Sequence, residues 1–461
     1  MLCMNRYWNP ELIRKHDVSG PRYTSYPTAL QFDESVPARE YIDAGRSAAD
    51  PTAPLSLYVH IPFCAHVCFY CACNKVITAN RSRAEPYLQS LYREMSQLAD
   101  WYAGERVVDQ LHWGGGTPTY LSDDQMRALM VELKQHFRLL DDDSGDYSIE
   151  IDPRELGDKT LATLREIGFN RVSFGVQDLD PAVQKAVNRI QPLEMTAKTL
   201  AEARSLGFRS INLDLIYGLP KQTLASFKQT LADIVALQPD RLSVFNYAHL
   251  PERFKTQRQI NADELPTAAE KLAILEFTIE YLVSAGYVYI GMDHFAKPDD
   301  ELAIAQQQNR LHRNFQGYTT RPECDLVAMG VSAISQIGPV YYQNTADISA
   351  YTLNVADHSH AVHRGVRLSA EDQLRREVIK QLICNFSLDP AAFGRQHQIN
   401  FIEHFAEEWA ALQTLAGDGL IDFEGDVLRV TDAGRLLVRR ICMAFDQYLP
   451  VGGSGRFSKI V

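Results

Sequence analysis

The residues with the clearest chemical potential are four cysteines in the segment YVHIPFCAHVCFYCACNK, which spans residues 58–75. Cys64, Cys68 and Cys71 follow the spacing C-x3-C-x2-C, and Cys73 comes two positions later. A loop with this spacing can bend around an iron–sulfur cubane and bind three of its four irons through thiolates. The fourth iron then has no protein ligand and is open to a cofactor. The spacing therefore predicts a 4Fe-4S cluster with one reactive iron.

Two other uses of these thiols stay open at this point. A zinc site normally combines two cysteine pairs separated by a longer spacer, and here only His60 or His66 could complete the ligand set. Isolated cysteines often serve as small buried hydrophobic residues, but three of them within eight positions of one loop are unusual for that role.

The elements that must position this loop show the alternation expected of a parallel sheet with crossover helices. Six apolar runs are strand candidates, namely LSLYVHI, VDQLHWGG, DYSIEID, RVSFGVQ, SINLDLIYG and RLSVFNYAHL. Helix candidates between them include AEPYLQSLYREMSQLADWY, SDDQMRALMVELKQHF and TLASFKQTLADIVAL. Six right-handed βα units favour an α/β fold with a partial (β/α)6 TIM-like barrel over an open doubly wound sheet.

A polar or glycine-rich segment follows every strand candidate. In chain order these segments are HIPFC, GGGTPT, EIDPRE, VQDL, DLIYGLPKQ and NYAHL. Active sites of parallel α/β folds lie at the carboxyl ends of the strands, where the βα loops meet. The six segments are therefore predicted to line one site beside the cysteine loop.

Length and composition predict a globular protein with one large and one small domain. The chain has 461 residues, of which 46% are hydrophobic, and a formal net charge of -12. That charge disfavours nucleic-acid binding, which needs a surplus of Lys and Arg. After about residue 369 the pattern becomes helical, with a hairpin candidate in LIDFEGDVLRVT and a final helix candidate in DAGRLLVRRICMAFDQYL. We expect an N-terminal extension covering the active site (1–50), the barrel with its extension (51–365) and a winged-helix-like C-terminal domain (366–461).

The sequence carries no pattern of a secretory or membrane protein. The N-terminal stretch MLCMNRYWNPELIRKHD is interrupted by charges and proline, unlike a secretory signal. No run approaches the roughly 18 to 20 apolar residues of a membrane-spanning helix. We expect a cytoplasmic protein and, since no heptad seam demands a partner, a monomer. In the reducing cytoplasm, clustered cysteines more often bind metal than form disulfides.

The cysteine loop, with the aromatic Tyr70 before its third cysteine, resembles the signature of radical S-adenosylmethionine (SAM) enzymes. The resemblance continues through HWGGGTPTYL, EIDPRE, SFGVQDL, NLDLIYGLPKQT and FNYAHLP, and it is closest to the oxygen-independent coproporphyrinogen III oxidases, or coproporphyrinogen dehydrogenases. It implies a 4Fe-4S cluster and SAM in one or two copies. The implied reaction is the oxidative decarboxylation of two propionates of coproporphyrinogen III to vinyl groups, which gives protoporphyrinogen IX for haem biosynthesis. An electron donor for the cluster and a terminal electron acceptor are implied as partners.

The resemblance also implies roles for individual residues. Cys64, Cys68 and Cys71 match the cluster ligands, and Cys73 matches a separate catalytic residue near the cofactor. Glycines let a backbone approach a ligand closely, carboxylates suit amino and ribose groups, and a guanidinium suits a carboxylate. The positions that match the SAM site or sites, undivided between two molecules, are Tyr58, Tyr70, Cys73, Gly115, Gly116, Thr117, Glu150, Gln177, Arg189, Asp214, Ala248 and Ile334.

Two further features concern the adenine and the substrate. Tyr70 is expected to stack on adenine, and Ala72 stands where the family often has glycine. Because the substrate carries propionates and the chain is acidic, a few cations must be directed into the site. Arg22 in SGPRYTSYPTA and Arg313 in HRNFQGYTT are the candidates.

Two alternative functions have to be weighed. A haem chaperone related to this family shares the barrel and the three-cysteine loop but delivers haem. Cys73 and the segment SGPRYTSYPT favour the dehydrogenase branch over it. A metal-sensing regulator with a DNA-binding winged helix is disfavoured by the acidic charge and by the six polar segments at strand ends.

Overall fold

The computed structural model describes residues 6–37, 39–46, 52–321, 324–357, 360–449 and 457–461. The chain forms two compact units. The larger unit contains Phe32–Lys271 and Glu323–Arg367, and the smaller one contains Met1–Gln31, Leu272–Pro322 and Leu368–Val461. Across the described ranges, no helix is both long enough and apolar enough to cross a membrane.

Strands and helices alternate through most of the chain, and helices dominate its last hundred or so residues. The strands are β1 (Leu55–Ile61), β2 (Phe63–Cys64), β3 (Val76–Ile77), β4 (Val107–Gly115), β5 (Arg138–Leu139), β6 (Asp146–Ile151), β7 (Arg171–Gln177), β8 (Ser210–Tyr217), β9 (Arg241–Asn246), β10 (Val288–Gly291), β11 (His294–Ala296), β12 (His312–Asn314), β13 (Gly317–Thr319), β14 (Asp325–Met329), β15 (Ile334–Ile337), β16 (Val340–Asn344), β17 (Val362–Arg367), β18 (Ser387–Leu388), β19 (Ile421–Glu424) and β20 (Val427–Val430). The α-helices are α1 (Pro10–His16), α2 (Arg39–Arg46), α3 (Ala84–Tyr102), α4 (Asp123–His136), α5 (Thr160–Glu166), α6 (Pro181–Ala186), α7 (Leu193–Ser205), α8 (Leu224–Ala236), α9 (Ala268–Ser284), α10 (Glu301–Gln307), α11 (Ile348–Asp357), α12 (Ala370–Asn385), α13 (Pro390–His397), α14 (Phe401–His404), α15 (Ala406–Gly417), α16 (Asp432–Leu436) and α17 (Val438–Cys442).

The larger unit is built on a parallel sheet whose strands follow chain order. The spatial order of its six central strands is β9, β8, β7, β6, β4 and β1, and each strand is parallel to its neighbours. They coincide with the six strand candidates, which confirms the α/β class. β1 also pairs in parallel with β14, and the antiparallel strands β15, β16 and β17 extend the sheet. No sequence prediction covers these four strands, because runs of four to six residues carry little periodic signal.

Two parts of the sequence-based architecture stay predictions. One is the curvature that would close this sheet, with its parallel strands in chain order, into a partial barrel. The other is the pair of domain boundaries after residues 50 and 365. The first of these boundaries falls in residues 47–51, which lie outside the described part of the chain.

Alternation along the parallel strands gives the sheet one apolar face, which the helices cover. In β1, Leu55, Leu57 and Val59 are fully buried. In β4, the indole of Trp113 packs edge-on against the ring of Phe169, with 4.9 Å between the ring centres. Such buried aromatic and aliphatic surface is the main driving force for this packing.

The crossover helices begin where their capping residues stand. Ser122 and Gln125 form a reciprocal capping box at the start of α4, and Thr223 and Ser226 form another at the start of α8. Each box satisfies two backbone N–H groups that the first helical turn leaves without partners. The candidate helix TLASFKQTLADIVAL, whose first residue is Thr223, is thereby confirmed as α8.

The C-terminal part of the smaller unit is helical with a small antiparallel sheet. The predicted hairpin is confirmed as β19 and β20, and β18 adds a third strand beside β20. Phe401, Phe405 and Phe445 pack together in its core. The sequence-based prediction of a single final helix is wrong. The backbone of Leu437 leaves the helical region (φ -102°, ψ 17°), so the segment forms two short helices, α16 and α17.

Candidate active site

The second face of the parallel sheet carries polar side chains at alternating positions. Most of them are only partly buried, so this face is accessible to a ligand. Residues opposed across neighbouring strands are close enough for their side chains to interact. The opposed pairs are Tyr58–His112, His112–Ser148, Glu150–Ser173, Ser173–Asn212 and Asp214–Ser243.

The cysteine loop leaves this sheet at the end of β1 and is anchored at both of its own ends. β2 and β3 pair in parallel and close the loop at Cys64 and Ile77. The hydroxyl of Thr256 donates to the backbone oxygen of Cys71 (2.9 Å), and the Gln257 amide donates to that of Tyr70 (2.9 Å). The middle of the loop is therefore held by the segment that follows β9.

The sulfur of Cys68 faces two guanidinium groups. Arg154 donates to it over 3.3 Å and Arg189 over 3.6 Å. Both arginines also bind Asp152, whose Oδ2 lies 2.7 Å from Arg154 Nη2 and 2.9 Å from Arg189 Nη1. The two guanidinium groups therefore place positive charge beside the sulfur of a predicted cluster ligand.

The other loop cysteines have distinct environments. A hydrogen bond from the Cys73 thiol, opposed by burial and assisted by Lys75, lowers the pKa of Cys71 to about 6. The same hydrogen bond, together with burial, raises the pKa of Cys73. Burial raises the pKa of Cys64 to about 12 although Thr117 Oγ1 lies 3.6 Å from its sulfur. A bound metal would override this difference, because coordination deprotonates a thiol.

The donor set fits an iron–sulfur cluster. Cys64, Cys68 and Cys71 are free, partly accessible cysteines on one loop. Among the residues that the structure describes, no three histidine, cysteine or carboxylate side chains gather at a point suited to a single metal ion. A cubane needs no such point, because its thiolates bind different irons.

The glycines at the end of β4, Gly115 and Gly116, are required by close contacts. A Cβ on Gly115, whose φ is +116°, would lie 2.8 Å from the His60 ring. A Cβ on Gly116 would lie 2.8 Å from the Phe63 oxygen and 3.0 Å from Cys64 Sγ. Real Cβ atoms do not come so close, so this segment lies against the cysteine loop only as glycine. Thr117, the next residue, is buried.

Glu150 presents a carboxylate into the site. Its side chain is 48% accessible. Gly115 N donates to Oε2 (3.3 Å), and His112 Nε2 lies 3.4 Å from Oε1. Although burial by surrounding groups raises the pKa of Glu150, the His112 hydrogen bond and charge outweigh it, so the pKa is lowered. The side chain is therefore an anion that can accept hydrogen bonds from a ligand.

Asp214 is a second carboxylate on the same face. Ser173 Oγ donates to its Oδ2 (2.9 Å), and Asn212 Nδ2 donates to its Oδ1 (2.7 Å). Burial, with repulsion from Glu150, raises its pKa from 3.8 to about 6. Two carboxylates of different acidity thus face the same space.

The raised pKa of Asp214 predicts a pH-dependent stability. Because the folded protein holds this proton more tightly than the unfolded chain, the contribution of Asp214 to the free energy of unfolding is largest below pH 3.8 and falls as the pH rises to about 6. In Asp214→Asn this contribution is absent, so its stability relative to wild type should rise over that window and then level off. Urea titrations of both proteins across the window test this, and a constant difference would contradict it.

The side chains of Arg189 and Gln177 both lie beside Gly175, near the end of β7. Arg189 is buried, and its Nη2 donates to the Gly175 oxygen. Its Nε is also buried and finds no hydrogen-bond partner among the described residues, which leaves a donor for a ligand. Gln177 has φ +73°, an unusual conformation for a residue with a side chain. Such strain is often kept where a side chain has a function.

Three further predicted SAM contacts lie in this unit, namely Tyr58, Ala248 and Ile334. The Tyr58 hydroxyl lies 3.1 Å from His60 Nδ1, and its ring stacks on His112 at 5.9 Å. The backbone oxygen of Ala248 accepts from Gln257 (3.3 Å), the residue that also holds Tyr70. The last, Ile334, begins β15.

Arg22 and Arg313 belong to the smaller unit, where they are neighbours. The Arg22 side chain pairs with Asp293. The Arg313 Nη1 donates to the Arg22 oxygen (3.1 Å), and the Arg313 guanidinium lies 5.3 Å from the centre of the Tyr318 ring.

Several residues of the site lack a sequence prediction. His112, Ser173, Asn212 and Ser243 line the polar face, and a signal for them existed, since each occupies the alternate position of a predicted apolar strand. Arg154, which also contacts the loop, and Asp152, which binds Arg154, lie in the segment EIDPRE that the sequence predicts to line the site, although it singles out neither residue. Thr256 and Gln257 had no such signal, because the fold alone brings them to the loop.

Comparisons with known proteins agree with this geometry. A family model described as the radical SAM superfamily matches residues 58–234, and one described as the HemN C-terminal domain matches residues 368–437. An oxygen-independent coproporphyrinogen III oxidase from Pseudomonas aeruginosa is 57% identical over 454 residues, covering 98% of this chain and 99% of its own. The oxygen-independent coproporphyrinogen III oxidase from Escherichia coli is 51% identical over 442 residues, which cover 96% of this chain and 96% of its own. The solved structure of coproporphyrinogen III oxidase from Escherichia coli is 50% identical, with a TM-score of 0.91, and covers 96% of this chain and 99% of that chain.

The matched radical SAM model and the cysteine loop beside its glycine segment define the chain as a radical SAM protein. Its cofactors are accordingly a 4Fe-4S cluster and SAM, as the sequence predicts. With relatives up to 57% identical over nearly its full length, the chain belongs to the oxygen-independent coproporphyrinogen III oxidase family. None of the relatives described above is a haem chaperone.

Proposed function

We propose that this protein is an oxidoreductase that decarboxylates two propionates of coproporphyrinogen III to vinyl groups without oxygen, giving protoporphyrinogen IX. The observation that carries the proposal is the juxtaposition of the three-cysteine loop with Gly115, Gly116 and the accessible carboxylate of Glu150. The substrate follows from the name that the full-length relatives share.

The cysteine loop would hold the cluster. Cys64, Cys68 and Cys71 are its proposed ligands, and the arginines beside Cys68 offset the negative charge of the thiolates. When bound, the cluster and SAM would supply the radical chemistry that takes a hydrogen atom from the β-carbon of a propionate. Each propionate then loses carbon dioxide and passes one electron to an acceptor.

The polar face of the sheet would bind and orient SAM. Gly115, Gly116 and Thr117 let the backbone approach its amino acid part, and Glu150 accepts hydrogen bonds from its amino group. Arg189, with its unpartnered Nε, suits a carboxylate, and Asp214 suits a ribose hydroxyl. The other proposed contacts, for one or two SAM molecules, are Tyr58, Tyr70, Cys73, Gln177, Ala248 and Ile334.

The remaining parts of the proposal concern partners. Arg22 and Arg313 are proposed to bind propionates, which are carboxylates that guanidinium groups recognise well. A one-electron donor reduces the cluster, and a separate acceptor takes the electron released with each carbon dioxide. We also propose that the enzyme is a monomer and works in the cytoplasm.

The test is an anaerobic assay of the cluster-loaded protein with coproporphyrinogen III, SAM, a reductant and an electron acceptor. Protoporphyrinogen IX, methionine and 5'-deoxyadenosine should form together, and omission of SAM should abolish all three products. Haem binding without turnover would instead support the chaperone function. Zinc in place of iron and sulfide in anaerobically purified protein would overturn the proposal.

A further inference from the structure

A buried carboxylate outside the polar face links helix α3 to the turn between β14 and β15. Glu94 is 3% exposed. Its Oε2 accepts hydrogen bonds from Gly330 N (2.7 Å) and from the Tyr351 hydroxyl (2.6 Å), and its Oε1 accepts one from Asn344 Nδ2 (2.6 Å). All three donors come from the segment that contains β14–β16 and α11.

The turn held by Glu94 has little freedom to move. Gly330 has φ +100°, and a Cβ there would lie 2.5 Å from the Tyr87 hydroxyl and 2.8 Å from the His60 oxygen. The Asn344 amide that binds Glu94 also donates to the Gly330 oxygen (2.9 Å). The turn is therefore fixed from its N–H side by the carboxylate and from its oxygen side by the amide.

The same helix ties this turn to the end of β1. The Tyr87 hydroxyl donates to the backbone oxygen of His60 (2.6 Å) and accepts from Val331 N (3.2 Å). Tyr87 and Glu94 are seven positions apart, so they lie on one face of α3. Together they hold Gly330 and Val331 against His60, the residue whose ring packs on Gly115.

The end of β1 and the turn after β14, which Tyr87 and Glu94 hold together, both lead into the active site. His60 precedes the cysteine loop by four positions, and Ile334 follows Gly330 by four. A second tie runs from Asn74, at the far end of the cysteine loop, whose amide donates to the Ala346 oxygen (2.9 Å). None of the bonds made by Glu94 reaches the polar face itself.

We infer that Glu94 is a positioning residue that sets the distance between the cysteine loop and the Ile334 side of the SAM site. The inference rests on the proposed function, since it assumes that Ile334 and the loop contact the same cofactor. Its physical basis is the cost of burying polar groups without partners. Removing the carboxylate would strand the Gly330 N–H, the Asn344 amide and the Tyr351 hydroxyl inside the protein. The turn would then move toward other acceptors.

The arrangement is kept at an energetic cost. Burial raises the pKa of Glu94 to about 7, against three hydrogen bonds that lower it. An apolar side chain would avoid that cost but could not hold the Gly330 N–H. The carboxylate is therefore better explained by the geometry that it imposes on the turn than by stability alone.

The test compares SAM binding by the cluster-loaded wild type and Glu94→Gln, measured by equilibrium dialysis beside iron analysis. The glutamine keeps the shape but replaces one acceptor with a donor. We expect the dissociation constant for SAM to rise about tenfold, with iron content unchanged. More 5'-deoxyadenosine should also form per vinyl group made, because a displaced SAM site wastes radicals. Tyr351→Phe removes only one donor and should raise the dissociation constant about threefold, which provides a milder variant if Glu94→Gln does not fold.

The matched control is Asp325→Asn, at the opposite end of β14. Asp325 accepts from Arg106 Nη2 (2.8 Å) and Gly338 N (2.8 Å), so its loss should also destabilise the unit but leave SAM affinity unchanged. An unchanged dissociation constant in Glu94→Gln and Tyr351→Phe would overturn the inference. So would an equal loss of affinity in the control. A wild type that binds no SAM would overturn the proposed function, and this inference with it.

Discussion

Cys68→Ala is expected to abolish both iron binding and turnover. The spacing of the loop leaves three thiolates for a cubane, so the loss of one removes a third of its protein ligands. The substitution also removes a sulfur to which Arg154 and Arg189 both donate, so that the Asp152 carboxylate alone faces the two cations. Two buried guanidinium groups that share one carboxylate are poorly compensated, and the empty loop should therefore rearrange.

Iron and sulfide analysis, with the visible absorption of the anaerobically reconstituted protein, measures this effect. The control is Cys324→Ala, a partly buried cysteine outside the loop, which should keep iron and activity. Retention of a full cluster by Cys68→Ala would show that the ligand set proposed here is wrong. Cys64→Ala and Cys71→Ala should behave like Cys68→Ala.

Cys73→Ser is expected to keep iron but to lower turnover by about 100-fold or more, the scale on which a positioned proton-transfer group acts. Cys73 stands two positions from Cys71 and is too close to serve comfortably as a ligand of the same cubane. The residue as a whole is exposed although surrounding groups desolvate its thiol, and that thiol hydrogen-bonds Cys71. Serine preserves the size and the hydrogen bond but not the acidity or redox reactivity of a thiol.

The measurements are iron content and product formation side by side, with 5'-deoxyadenosine quantified separately from vinyl product. SAM cleavage that continues while decarboxylation stops would place Cys73 at the substrate step. Loss of iron together with activity would contradict the division of labour between Cys73 and the three ligands. Cys73→Ala serves as the comparison, since it removes the hydrogen bond as well.

Much of the site could be predicted because its signals are local in sequence. The C-x3-C-x2-C spacing, the glycines of GGGTP and the strand ends of six apolar runs can be recognised without knowing where the chain folds. The parallel order of β1, β4, β6, β7, β8 and β9 then brings those ends to one edge, as the βα pattern requires. Local periodicity and turn chemistry determine these features, and tertiary contacts only assemble them.

Other features depend on contacts between residues far apart in the chain. Arg154 approaches Cys68 across 86 positions, and Glu94 reaches Tyr351 across 257. In the sequence Glu94 looks like an ordinary exposed charge, and the segment EIDPRE does not show that its Arg154 would reach Cys68. Their burial and their hydrogen bonds distinguish them, and both properties depend on the tertiary structure.

The sequence by itself thus determined the α/β class, the six parallel strands and the position of the cysteine loop, because each follows from spacing along a short stretch of chain. The tertiary structure alone decided that β14–β17 extend the sheet, that two arginines face Cys68, and that a buried carboxylate holds the turn before Ile334. The physical reason is that the energy of a buried charge or hydrogen bond depends on which distant groups surround it.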